Sequence, residues 1–312
     1  MKRRRYYIEN DSQSLSQTIK NTLLGKKIKN FPESIVIETI TGCNAKCIFC
    51  SQHEARKGLP NGTISDELFL KIAEECSKNE NVLKRFSFAF DNEPLLDKNL
   101  AWKVKHIKKV CPTVTTNITT NGILLTPERV KELFEIEALD EFNISVQGIQ
   151  KETYEKLMGV KTFDRVMENL NFLSTFSKTY KGKKISIEIN TCLTSETISQ
   201  KSQIEQFCED KGFKPNFVVL DSRAEHVNSF VNTDSPKQYY KYCKRPFHTM
   251  VICWNGIVPL CCADYSQNCI LGDLSKNSIK AVWKGNRATQ ARREMITGQF
   301  DIAKMCKYCE LS

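Results

Sequence analysis

Three cysteines fall within eight residues, in Thr41-Gly42-Cys43-Asn44-Ala45-Lys46-Cys47-Ile48-Phe49-Cys50, straight after the apolar run Ile35 to Ile40. Thiolates are soft ligands, and three on so short a loop select an iron–sulfur cluster, zinc or copper(I). A structural zinc site takes four protein ligands, and the loop itself supplies no histidine and no fourth cysteine; the nearest candidate, His53, comes three residues past Cys50. Zinc is therefore the second choice, and a disulfide or thiols packed in a core are the plain alternatives. Three thiolates can instead hold three irons of a [4Fe–4S] cube and leave the fourth open to an outside ligand. An open iron implies chemistry.

The spacing C-x3-C-x2-C, with the aromatic Phe49 just before its third cysteine, resembles the signature of the radical S-adenosylmethionine (AdoMet) enzymes. The resemblance implies that Cys43, Cys47 and Cys50 hold a [4Fe–4S] cluster whose remaining iron is chelated by the amino and carboxylate groups of AdoMet. It implies further that one electron splits the sulfonium into methionine and a 5′-deoxyadenosyl radical, which takes a hydrogen atom from the substrate. A low-potential reducing partner such as flavodoxin or ferredoxin would supply that electron.

The rest of the chain is consistent with a soluble protein. Of 312 residues 40% are hydrophobic, mean hydropathy is −0.40, and no apolar run approaches the ~20 residues of a membrane span. The basic start Met1-Lys2-Arg3-Arg4-Arg5-Tyr6-Tyr7 leads into polar residues, not an apolar stretch, so it does not read as a secretory signal and a cytoplasmic location is expected. Fourteen cysteines in a reducing compartment argue for metal binding over disulfides. The net charge of +10 suits phosphorylated substrates or nucleic acid, but the basic residues are dispersed apart from the amino-terminal cluster, and interleaved aromatic and basic stretches are not apparent, so nucleic acid is not the expected partner.

From Ser34 onward, short β-branched runs alternate with amphipathic stretches, the pattern of repeated βα units on a parallel sheet. Strands are predicted at 34–40, 85–90, 114–119, 141–146, 185–193 and 217–220. Helices are predicted after Ser65 as N-cap, with Leu68, Ile72 and Cys76 on one face, and at 100–110, 127–134, 163–176 and 195–211. Six such units make a partial (β/α)6 TIM-like barrel of the α/β class. Residues 1–33 read as an amino-terminal extension with a weak helix, Leu15 to Leu24, too short for a separate peptide-recognition domain; 34–222 is the barrel and 223–242 an aperiodic linker. Residues 243–312 form a small α+β module, in which Asn255-Gly256 between two apolar runs predicts a hairpin of 249–253 with 257–262.

Barrels of this kind carry their functional residues on loops after the strands' carboxyl ends. There, Asp91-Asn92-Glu93-Pro94 resembles the family's Gly-Gly-Glu-Pro segment, which contacts the AdoMet amino group; Glu93 and Pro94 are kept, and Asp91 and Asn92 replace both glycines. Thr120-Asn121-Gly122 resembles the family's Thr-Asn-Gly after strand three. Ser145 and Asn190 look like its carboxylate and ribose contacts. Cys243, Gly256, Cys261, Cys306 and Cys309 resemble the twitch domain, the shortened form of the SPASM domain. That implies four thiolates, Cys243, Cys261, Cys306 and Cys309, fully ligating a second, auxiliary [4Fe–4S] cluster suited to passing electrons; structural zinc stays open for the same four.

Adjacent to Cys261, Cys262 is a candidate hydrogen-atom donor, and Asp264, Arg223, His226 and Arg245 are candidate substrate contacts. The expected reaction is hydrogen abstraction from an unactivated carbon of a small polar substrate, such as a sugar or aminocyclitol, with net oxidation if the auxiliary cluster accepts the substrate electron. If Cys262 returns a hydrogen, epimerisation results; a peptide substrate is a further alternative. A non-catalytic iron–sulfur redox sensor or electron carrier is the reading from another class.

Overall fold

A computed structural model of the chain describes residues 28–220 and 243–309. The weak amino-terminal helix, the linker, Arg223 and His226 lie outside these residues. Six of the seven strands of the main sheet are those expected from the sequence: β1 (Ser34–Ile37), β2 (Arg85–Phe88), β3 (Thr115–Thr120), β4 (Glu141–Ser145), β5 (Ser186–Leu193) and β6 (Lys214–Val219). The seventh, β7 (Thr249–Ile252), was expected in the carboxyl-terminal hairpin. It lies instead beside β1, with Ser34 opposite Thr249, so the sheet runs β6-β5-β4-β3-β2-β1-β7 with every neighbour parallel.

The Asn-Gly turn still forms: Gly256 adopts φ +85 and donates its N–H to the Cys253 carbonyl at 2.9 Å. The strands leaving it take different partners. β8 (Ile257–Pro259) pairs antiparallel with β9 (Ile270–Asp273). Beside β1, β7 joins the main core and keeps Met250, Val251 and Ile252 all out of water.

Successive strand residues point to opposite faces of a sheet. Ile35, Ile37, Phe86, Phe88, Phe142, Ile144, Ile187 and Ile189 share one core with the helices outside. Those helices are α2 (Asp66–Ser77), α3 (Leu100–Val110), α4 (Pro127–Glu135), α6 (Phe163–Thr179) and α8 (Lys201–Lys211), which α1 (Gln52–Ala55), α5 (Lys151–Met158) and α7 (Ser195–Ser199) complete. Local chemistry sets their ends. The Ser65 hydroxyl accepts the Leu68 N–H at 3.2 Å to start α2, and Thr126 with Pro127 behind it starts α4.

On α2 the buried face is Phe69, Ile72, Ala73 and Cys76, with Leu68 at its margin. The helix expected over 195–211 is two helices, because Gln200 leaves helical geometry to pin the preceding loop: its amide donates to Thr153 Oγ1 at 2.7 Å and accepts from the Ile149 N–H at 3.2 Å. Beyond β7 come α10 (Ile279–Lys284) and α11 (Asn286–Thr297), preceded by a short α9 (Arg245–His248). The carboxyl-terminal segment is bonded to the barrel: Lys71 Nζ donates to the Leu274 carbonyl at 2.6 Å and Glu75 accepts the Ile279 N–H at 2.7 Å.

Candidate active site and cysteine centres

The loop bearing Cys43, Cys47 and Cys50 leaves the carboxyl end of β1 through Gly42, whose φ of +92 favours a residue without Cβ. It docks on the end of α5: the Lys46 N–H donates to the Met158 carbonyl and the Ile48 N–H to the Leu157 carbonyl, both at 3.0 Å. Gly159 ends α5 at φ +66, and a Cβ there would stand 2.8 Å from the Lys46 carbonyl carbon. The close approach is what seats the loop. Cys47 Sγ rests 3.6 Å from Met158 Sδ, and the Asn121 amide lies 3.5 Å from Cys43 Sγ and 2.7 Å from Asn44 Oδ1.

Burial, reinforced by Glu93 and Cys50, pushes the Cys43 thiol up to about 11. Burial and then Cys50 and Cys43 push Cys47 up as well. The three thiols therefore feel one another across a partly desolvated space, and their ionised forms need a strongly Lewis-acidic partner. No disulfide engages any of them. Among the described residues no three Cys, His, Asp or Glu side chains converge on a single-ion position. Three thiolates on one loop are a donor set for three irons of a cube. Phe49 is half-buried beside Cys50, which is exposed.

The loop after β2 meets this one directly. Gly42 and Asn92 form a parallel bridge, and the Glu93 N–H donates to the Gly42 carbonyl at 2.9 Å. Glu93 does not present an open carboxylate. Its oxygens accept Thr120 Oγ1–H at 2.6 Å, the Asn121 N–H at 2.7 Å and the Leu95 N–H at 3.0 Å, and burial raises it against those bonds. It thus fastens the β2 loop to the β3 loop. Asn92 carries the open groups: its Oδ1 and Nδ2 are both buried with no hydrogen-bond partner. Ser145 and Asn190 lie opposite each other on β4 and β5, and Asn190 Oδ1 accepts from Asn216 at 2.9 Å.

At the second centre, Cys243, Cys261, Cys306 and Cys309 line one cavity together with Arg245, Leu260, Met295 and Phe300. Burial raises Cys243, Cys261 and Cys306, Cys261 further through Cys262, Cys306 and Cys243, and Cys306 through Cys309 and Cys243. Four thiols gathered on one largely apolar cavity are a donor set for a fully ligated cluster. Two carboxylates hold the backbone around them: Glu294 accepts the Ile302 and Ala303 N–H groups at 3.1 and 2.9 Å, and Asp264 accepts those of Asn268 and Cys269 at 2.8 and 3.0 Å. Asp264, expected as a substrate contact, is thereby a turn-holder. Arg245 lies on the cavity wall, and Cys262 is half-buried beside Cys261.

Sequence reasoning missed the meeting of Glu38 and Arg56 with Asp91 inside the barrel, and the part played by Gly159. The first three share no local motif. Glu38 was legible only as the inward partner of Val36 in the strand alternation.

A model of the radical SAM superfamily matches residues 37–189 and one of an iron–sulfur cluster-binding domain, SPASM, matches 243–310. The chain is 24% identical over 276 residues to the S-adenosyl-L-methionine-dependent 2-deoxy-scyllo-inosamine dehydrogenase of Niallia circulans, covering 88% of this chain and 91% of the relative. It is 33% identical over 128 residues to a probable GTP 3′,8-cyclase of Saccharolobus islandicus, covering 41% of this chain and only 39% of the cyclase. Among solved structures, BtrN in complex with AdoMet and 2-DOIA aligns over 89% of this chain and 92% of its own with TM-score 0.59 and 20% identity. Streptococcus suis SuiB bound to precursor peptide SuiA aligns over 96% and 79% with TM-score 0.67 and 16% identity. Native anSMEcpe with bound AdoMet aligns over 88% of both chains with TM-score 0.63 and 18% identity.

Proposed function

The chain is a radical SAM enzyme with a carboxyl-terminal SPASM iron–sulfur domain, and from that premise we propose that it oxidises a small polar substrate, a sugar, aminocyclitol or similar, by abstracting hydrogen from an unactivated carbon. Cys43, Cys47 and Cys50 would hold the AdoMet-binding [4Fe–4S] cluster, and Cys243, Cys261, Cys306 and Cys309 an auxiliary one. When bound, the first cluster and AdoMet supply a one-electron cleavage that yields a carbon-centred oxidant.

The chain's own residues do the rest. Asn121 and Met158 brace the cysteine loop from below, at 3.5 and 3.6 Å from Cys43 and Cys47 sulfur. Glu93 locks the β2 and β3 loops in register, and the backbone of Asn92 bridges to Gly42 at the start of the cysteine loop. Ser145 and Asn190, side by side at the lumen wall, would hold the AdoMet carboxylate and ribose.

One observation carries the substrate class: across β2 to β6 the inward face of the sheet carries a band of polar residues. Positions alternating with the outer apolar residues there include Ser87, Asn117, Asn143, Asn190 and Asn216, while Val36 and Val251 make the β1–β7 side apolar. The lumen of a closed TIM barrel is packed with branched apolar side chains, whereas this one offers amides and hydroxyls to a hydroxylated ligand. The likeness to a dehydrogenase along nearly its whole length supports net oxidation. Anaerobic reaction with AdoMet, a strong reductant and a panel of polyols and aminocyclitols tests the reading. Formation of 5′-deoxyadenosine in step with a carbonyl product is expected. Product of inverted configuration with no oxidation, lost in Cys262→Ala, would favour epimerisation, and turnover of peptides but not polyols would favour a peptide-modifying role.

A further inference from the structure

Two side-chain amides run in series behind the cysteine loop. The buried Asn121 is held at three points: its backbone N–H donates to Glu93 Oε2 at 2.7 Å, its Oδ1 accepts the Ile123 N–H at 3.0 Å, and its Nδ2 donates to Asn44 Oδ1 at 2.7 Å. Cys43 Sγ lies 3.5 Å from the same Nδ2, within reach of its other proton. Because an N–H already occupies Oδ1, the Asn121 amide cannot turn round. The constraint passes along the series: the Asn44 oxygen is committed to Asn121, which leaves the Asn44 nitrogen as the free end.

That free end is an orphan. Asn44 Nδ2 is buried and meets no hydrogen-bond acceptor. An amide nitrogen carries two protons, and native proteins rarely bury such a donor unpaired. Asn44 directly follows Cys43 on the loop, so an anionic group gripped by that loop is the acceptor its position calls for. The donors already in place gather on the same ligand: the Ala45 N–H stands 3.4 Å from Cys43 Sγ and Asn121 Nδ2 3.5 Å. Cys47 Sγ lies instead against the Met158 thioether at 3.6 Å, which has no proton to give.

We propose that Asn44 donates its orphaned N–H to the sulfur of the cube held by Cys43, Cys47 and Cys50, and that Asn121, acting through Asn44 and Cys43, is the positioning residue of a hydrogen-bonded series that raises this cube's reduction potential. One electron from an external low-potential donor takes the cube from its 2+ to its 1+ state and makes it more negative. N–H groups aimed at its sulfur stabilise that added charge, so they favour the reduced form. The inference deepens, and rests on, the reading that these three cysteines hold the AdoMet-binding cluster.

The test is a redox titration of the reconstituted full-length holoenzyme, following by electron paramagnetic resonance the cube whose signal changes when AdoMet is added. Asn44→Leu, of like size and without the amide, is expected to shift the reduction equilibrium of that cube at least tenfold toward the oxidised form, a fall of 59 mV for one electron. Asn121→Leu should shift it in the same direction, and the auxiliary cluster's midpoint should stay put in both. AdoMet binding to unreduced Asn44→Leu should remain within about threefold of wild type. A smaller fall, no change or a rise in the Asn44→Leu midpoint overturns the proposal, as does an equal fall in both clusters. Loss of AdoMet affinity by tenfold or more also overturns it, by assigning the amide to the cofactor. Should Asn44→Leu fail to hold its iron, wild type carrying ¹⁵N in its asparagine side-chain amides decides: magnetic coupling of that nitrogen to the reduced cube is expected, and its absence overturns the contact. Iron and sulfide counts report on the underlying reading separately. A fully loaded wild type with unshifted variants sinks the amide contact alone, whereas a wild type with no AdoMet-responsive cube sinks the cluster reading and the contact with it.

Discussion

Replacing Gly159 by alanine should empty the amino-terminal cysteine centre while sparing the other. Gly159 holds φ +66, where an L side chain is strained, and its new Cβ would fall on the Lys46 carbonyl, with the carbonyl carbon at 2.8 Å and no flexible side chain able to yield. The left-handed conformation costs about 1–2 kcal/mol with a Cβ present. Relieving the clash moves Lys46 and breaks the Lys46 N–H to Met158 and Ile48 N–H to Leu157 bonds, about 1 kcal/mol each. Together these weigh about 3–4 kcal/mol against the docked loop. Gly212→Ala is the control: it has the same sign of φ, +74, but meets only Lys178 Cε at 3.4 Å. Anaerobic reconstitution followed by iron and sulfide analysis is the assay. Gly159→Ala should lose about four of about eight irons and form no 5′-deoxyadenosine, and Gly212→Ala should keep both. Full iron and normal deoxyadenosine formation in Gly159→Ala would refute the claim that this close approach seats the cluster loop.

Three further outcomes follow from the geometry. Thr120→Val removes a hydroxyl from the fully buried Glu93 carboxylate and should destabilise the fold by about 1–3 kcal/mol and weaken AdoMet binding, read by thermal melting with and without AdoMet. Glu294→Ala frees the Ile302 and Ala303 N–H groups ahead of Cys306; the protein should retain about four irons and still yield 5′-deoxyadenosine, while substrate oxidation fails. Glu38, raised from 4.5 to about 7 by burial, favours the folded state most below pH 4.5 and progressively less as pH rises to about 7. Wild type should therefore lose up to about 3 kcal/mol relative to Glu38→Gln across that window. Arg56, Asp91 and Cys253 share its surroundings. Parallel pH–stability curves for the two proteins would contradict this.

The sheet and the cysteine centres were legible because each rests on local sequence. Short apolar runs mark the six strands, and the Ser65 cap and Pro127 lie at the starts of their helices. The seventh strand was not legible, since 249–252 reads equally well as half of a hairpin, and only the partner at β1, more than two hundred residues earlier, decides between them. The part Glu93 plays in joining two loops was not legible for a related reason. Motif resemblance supplies the residue, but the three donors that occupy its carboxylate come from Thr120, Asn121 and Leu95, which only the folded chain assembles. Arg56 and Glu38 likewise come from different segments with no shared pattern, and the buried ion pair they form exists only in three dimensions.

No helix of the described residues is long and apolar enough to cross a membrane, and the cluster assignment comes down to one assay. That assay is one anaerobic preparation in which iron, acid-labile sulfide and 5′-deoxyadenosine are counted together, for wild type and for a Cys43→Ala, Cys47→Ala, Cys50→Ala triple variant. The account expects about eight irons and deoxyadenosine from wild type, two cubes of four, and about four irons with no deoxyadenosine from the variant. Zinc in place of iron, or deoxyadenosine formed without those three cysteines, would contradict it.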